Sequence, residues 1–124
     1  MEFEELQDRV LDWADDKDLL QEENAEKQFL KFLEEVFEFK TEMDIWRLYK
    51  NFKHDENIEQ DFSIEEVERW KNLKLEMGDV FVTLIILCMQ LQIDPIDCLE
   101  SAYNKIKSRQ GKTINGQFIK EEDL

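Results

Sequence analysis

One proline, three glycines, two cysteines and one histidine are all this 124-residue chain has of the residues that interrupt helices, staple small folds or bind soft metals. So few prolines and glycines leave few natural breaks, and the breaks present carry information. Cys88, Cys98 and His54 fall short of the ligand count of an ordinary zinc site, and no disulfide is expected between the two thiols. Positive charge is scarce as well: 16 basic residues face 31 acidic ones, for a net charge of −15. That balance argues against nucleic acid and anionic membranes as partners, because both need a positive surface. Long apolar runs are missing. The longest, Val80 to Leu91, is about a dozen residues and contains Thr83 and Gln90, where a membrane span needs ~20. The opening Met1-Glu2-Phe3-Glu4-Glu5 is acidic where a targeting segment is basic. The expectation is a cytoplasmic protein with reduced thiols.

Apolar residues make up 42% of the chain, enough for one real core. A single domain over residues 1–124 is therefore expected. Asp94-Pro95 reads as an N-cap followed by the first helical residue. Ser63, with Glu66 three residues on, reads as a capping box. These marks divide the chain into four helices: about Glu2 to Lys17, about Asn24 to Tyr49, from after Ser63 to about Leu91, and Pro95 to about Arg109. The charged, weakly periodic stretch from about 51 to 61 reads as a mobile connection. At the end, Lys112 to Lys120 places β-formers on both sides of Asn115-Gly116, a dipeptide suited to a type I′ turn. The fold class is all-α, a four-helix bundle with a short C-terminal β-hairpin over about 112–120. A third helix this long and apolar has more to bury than one such chain covers, so a homo-oligomer should complete the bundle.

The second and third helices carry the chemistry. With the core direction of the second set by Phe29, Phe32, Val36, Phe39 and Met43, a stripe of Gln28, Lys31, Glu35, Glu38 and Glu42 runs along its flank. On the third, Asn72, Glu76, Asp79, Thr83 and Gln90 lie within roughly 60° of one another at 100° per residue, a polar line through the most apolar helix of the protein. Acidic residues at a spacing of three also arise by chance in a chain this acidic, as at Glu2/Glu5, Asp12/Asp15 and Glu65/Glu68, and most such pairs form solvated faces. Context separates these two pairs. Asp79 opens an apolar run, and Glu35 and Glu38 sit among phenylalanines. Carboxylates crowded against apolar surface repel one another unless a cation neutralises them. Four of them on two facing helices make an all-oxygen cage, which suits Mg²⁺, with Mn²⁺ as a substitute.

At these residues the sequence resembles the MazG-like branch of the all-α nucleoside triphosphate pyrophosphohydrolases. The family pattern of Glu-x-x-Glu on one helix and Glu-x-x-Asp on another is matched by Glu35-Val36-Phe37-Glu38 and Glu76-Met77-Gly78-Asp79. Leu6 to Ala14 resembles the family's opening helix, and Gln28 to Glu35 its approach to the first motif. Ala102 to Lys112 followed by Asn115-Gly116 is similar to the ending of the small phage and bacterial members. The likeness covers most of the chain apart from about Ile45 to Glu65. Two departures stand out: Phe37 where the family commonly has glycine, and a longer connection from Glu38 to Glu76 than in compact members.

The resemblance implies that Glu35, Glu38, Glu76 and Asp79 hold Mg²⁺ and form the catalytic centre. It further implies attack of a metal-activated water at the α-phosphorus of a nucleoside triphosphate, giving the monophosphate and pyrophosphate. One of these carboxylates, or Glu34 or Glu42, would serve as base. Lys31, Asn104, Lys107 and Arg109 become candidates for phosphate or sugar contacts, although Lys107 and Arg109 equally suit a helix C-terminal dipole. Trp13, Trp46, Trp70, Tyr49 and Tyr103 are possible stacking groups that core packing would also explain. The implied assembly is a homodimer or homotetramer. The competing reading is a non-enzymatic acidic helical module, a DNA mimic or an inhibitor of a basic partner, which would spread its carboxylates outward.

Overall fold

A computed structural model describes residues 1–53 and 63–124, and the side chains of Lys53 and Ser63 are not among what it describes. His54, most of the expected connection, and the capping role expected of the Ser63 side chain therefore lie outside the described residues. The chain is mostly helical: α1 (Phe3–Asp16), α2 (Ala25–Lys53), α3 (Ser63–Gln90) and α4 (Pro95–Ile106), then β1 (Gly111–Ile114) and β2 (Gln117–Lys120). No single described helix is long and apolar enough to cross a membrane. The described residues form two compact units, Met1–Gln92 and Ile93–Leu124.

In the first unit the main packing is α2 against α3, with α1 on α3. Neither α1 nor α3 ends on glycine. Instead Asp18 (φ 61°) and Gln92 (φ 59°) take the left-handed conformation that lets a chain leave a helix. The Leu19 amide then bonds back to the Ala14 carbonyl at 2.9 Å. The helix α2 runs to Lys53, past the expected stop near Tyr49. Lys50, Asn51, Phe52 and Lys53 include no glycine or proline to halt it.

The buried face of α2 is shifted towards the polar flank from the one its phenylalanines suggest, with Phe32, Val36, Phe39 and Met43 part-buried. Phe29 is 47% exposed, whereas Glu35 and Tyr49 are buried. Gln28, Glu35, Glu42 and Tyr49 recur every seven residues, the period that keeps one seam against an antiparallel neighbour. The stripe expected on the flank thus reaches the seam at Gln28, Glu35 and Glu42, while Lys31 and Glu38 stay exposed beside it. Gln28 Nε2 donates to the Thr83 carbonyl at 3.2 Å, and Lys50 Nζ to Glu66 Oε1 at 3.3 Å. Trp46 stacks at a tilt on Trp70, ring centroids 5.4 Å apart.

Among the described residues the buried apolar set is small, comprising Ala14, Tyr49, Ile85, Ile86 and Cys88. Leu6, Trp13, Leu75 and Phe81 are all about half-exposed or more. Gln90 is 2% exposed, and Thr83 is buried with its hydroxyl donating back into α3 at the Val80 carbonyl, 2.9 Å away.

In the second unit, the Asp94 side chain accepts a hydrogen bond from the Ile96 amide at 2.8 Å with Pro95 opening α4, as the sequence leads one to expect. The helix stops at Ile106, three residues before the expected end. The strands pair antiparallel with Lys112 opposite Ile119 and Thr113 opposite Phe118. Asn115 (φ 52°) and Gly116 (φ 79°) supply the two positive φ angles of a type I′ turn. Gly111 is needed for a different reason: a Cβ there would run into the Ile119 carbonyl oxygen and the Phe118 ring.

Candidate metal centre

The seam places Glu35 and Glu38, one turn apart on α2, opposite Glu76 on α3. One carboxylate oxygen from each of the three lies within 4.8 Å of the others. Glu35 is buried at 8% exposure, Glu76 is half-buried and Glu38 is exposed, so the cluster opens outward from the seam. Glu35 Oε2 and Glu76 Oε2 are both buried without a hydrogen-bond partner. A buried carboxylate oxygen with no donor is costly. Two of them facing one seam are what a cation would satisfy.

Electrostatics point the same way. The Glu38 carboxyl is held above its usual range, first because it can share a proton with Glu35, then by the charge of Glu35, by burial, and by Glu76 and Glu34. The Glu76 carboxyl is also raised, chiefly by burial, then by the charges of Asp79, Glu35 and Glu42. On the other side of Glu35, Lys31 Nζ approaches Oε1 at 3.2 Å and Glu34 Oε1 at 3.4 Å. The hydrogen bond to Glu35 is the main cause that raises the Lys31 ammonium's pKa.

The donor set is hard oxygen throughout, which fits an alkaline-earth or manganese ion rather than zinc or copper. Opposite ligands of Mg²⁺ stand about 4.2 Å apart and those of Ca²⁺ about 5 Å. The three oxygens lie within 4.8 Å of one another, close enough to share one cation.

Three of the four expected ligands are thus brought together. Asp79 is exposed, outside that group, yet near enough to Glu76 to raise its pKa. It instead lines a hollow of about 380 Å³ with Glu35, Lys31, Gln28 and Trp13. Lys31 thus lines the same hollow as Glu35 and Asp79. Trp13, 51% exposed, is a wall of this hollow rather than core. Phe37 is 68% exposed and does not line it. Glu42 belongs to the site's electrostatics and was visible in the sequence as the next turn of the stripe.

Asn104, Lys107 and Arg109 belong to the second unit. There Lys107 Nζ donates to Asn104 Oδ1 at 3.2 Å, and Arg109 follows the end of α4 with its amide bonded to the Ile106 carbonyl at 2.9 Å. Comparison of the chain with protein-family models, with curated proteins and with solved structures finds no match.

Proposed function

We propose that this chain is a MazG-like nucleoside triphosphate pyrophosphohydrolase, working in the cytoplasm with Mg²⁺, or Mn²⁺ in its place, and releasing a nucleoside monophosphate and pyrophosphate. One observation carries the reading: three carboxylates from two helices converge within 4.8 Å, and two of their oxygens are buried without a partner. The resemblance of the motifs around Glu35, Glu38, Glu76 and Asp79 supports it. In this reading those four hold the metal, Asp79 from the exposed side of the hollow.

A divalent ion bound here would supply Lewis acidity and a water of lowered pKa. The chain's own residues do the rest. Lys31 offers an ammonium beside the carboxylates for an anionic phosphate oxygen, and Asn104, Lys107 and Arg109 are further candidates for phosphate and sugar. Trp13 gives the hollow an aromatic wall against which a base can lie. A carboxylate of the cluster, or Glu34 or Glu42, takes the proton of the attacking water as the bond to the α-phosphorus forms and pyrophosphate leaves. The half-exposed apolar side chains of α1 and α3 support a homodimer or homotetramer.

Pyrophosphate release from a panel of NTPs and dNTPs, with Mg²⁺ and with EDTA, tests the proposal. Metal-dependent release with monophosphate as the other product is the expected result. No release from any nucleotide would overturn it and favour the acidic binding module.

A further inference from the structure

Lys31 is, among the described residues, the only cation paired with any of the four site carboxylates. Its partner is unusual for a surface pair: the Lys31 side chain is about half-exposed, but that of Glu35 is only 10% exposed. An ordinary pair one helical turn apart joins two solvated groups, and the order with lysine N-terminal to glutamate is the less favourable one on a helix. Helix stabilisation is therefore a poor account of this contact. The geometry divides the Glu35 carboxylate in two. Oε1 is held by Lys31 at 3.2 Å, while Oε2 is buried and unpartnered on the same carboxylate that meets Glu38 and Glu76.

Resting on the metal reading above, we propose that Lys31 is a resident counter-cation of the cluster. It balances part of the carboxylate charge when no divalent ion is bound, so that the seam between α2 and α3 closes without metal, and it weakens the hold of the site on a divalent ion. A positive charge a few ångströms from a bound dication repels it, and the partial exposure of Lys31 moderates that repulsion without abolishing it. Two opposite effects follow from one charge. Removing it destabilises the metal-free protein and tightens metal binding. A side chain that merely packs or orders the helix would produce the first effect and not the second.

The test uses the full chain and two variants, Lys31→Met, which keeps a flexible unbranched stem and loses the charge, and Lys31→Arg, which keeps the charge. Thermal unfolding in EDTA and Mn²⁺ affinity, read from the free-ion electron paramagnetic resonance signal, are measured on each. Lys31→Met should unfold a few degrees lower than wild type in EDTA and bind Mn²⁺ about three- to tenfold more tightly, with Lys31→Arg close to wild type in both. Unchanged or weaker Mn²⁺ binding by Lys31→Met would overturn the counter-cation role. Absence of Mn²⁺ binding by the wild type would instead overturn the metal reading, and this inference with it.

Discussion

The side-chain amide of Gln90 donates to the carbonyl of Leu19 across 2.6 Å, joining the last turn of α3 to the segment that leaves α1. Gln90 is buried and Leu19 half-buried, and Leu19 lines the hollow together with Glu35 and Asp79. Gln90→Ala removes the donor and leaves a void. It should cost about 2–4 kcal/mol of stability, measured by urea unfolding. A cost under about 0.5 kcal/mol would show that the joint is not made in solution.

Stability without metal should depend on pH in a definite direction. Glu38 and Glu76 are raised above the ordinary 4.5, so between that value and their folded values the native state holds more protons than the unfolded chain. Stability therefore falls as pH rises through that window and recovers as pH drops. Glu38→Gln should be the more stable protein at pH 8 in EDTA, and its advantage should shrink towards pH 5. With Mg²⁺ the order should reverse. Urea melts at a series of pH values check both halves.

Glu76 and Asp79 should separate in their effects. Glu76→Gln removes a half-buried member of the three-carboxylate group and should abolish metal-induced stabilisation, read as the loss of the Mg²⁺-dependent shift in melting temperature. Asp79 is exposed at the rim. Asp79→Asn should leave the fold intact and reduce turnover by roughly 100-fold or more, the scale of losing one preorganised electrostatic contact. Turnover at the wild-type rate in Asp79→Asn would remove it from the catalytic set.

In the hairpin, Gly111→Ala should break the pairing because the added methyl meets the Ile119 carbonyl and the Phe118 ring. Cross-strand nuclear Overhauser contacts between Lys112 and Ile119 should vanish, while the helical circular dichroism signal is kept.

Size-exclusion chromatography with light scattering should give a mass of two or four times 15.1 kDa. Phe81 is 48% exposed on α3. Phe81→Glu should shift the distribution towards monomer, since a charge there cannot be buried against a second copy without a large penalty.

Much of this fold is written in its rare residues. Asp94-Pro95 and Asn115-Gly116 act through backbone constraints that need no tertiary partner, and both stand where the sequence puts them. The three converging carboxylates were legible from spacing and from their apolar surroundings. The packing face of α2 was legible in part, since Phe32, Val36, Phe39 and Met43 are part-buried. Its aromatic residues point to several sides, so hydrophobic periodicity has no single answer, and it is the register against α3 that buries Glu35 and leaves Phe29 half in solvent. The ends of α2 and α4 are hard to read for a related reason: no glycine or proline marks them, so they depend on small differences in local preference. Asp79 shares a helix stripe with Glu76, but a stripe gives direction around the axis and not depth beneath the surface.

Trp46 and Trp70 face each other across the α2–α3 seam with their centroids 5.4 Å apart, and Lys50 Nζ lies 5.1 Å from the Trp46 ring. Two of the three tryptophans in the chain are therefore close enough to exchange excitation, beside a cation that perturbs one of them. The protein carries its own optical gauge of helix separation. Any event at the carboxylates that draws α2 and α3 together or lets them part should register in emission and near-ultraviolet dichroism, with no label added.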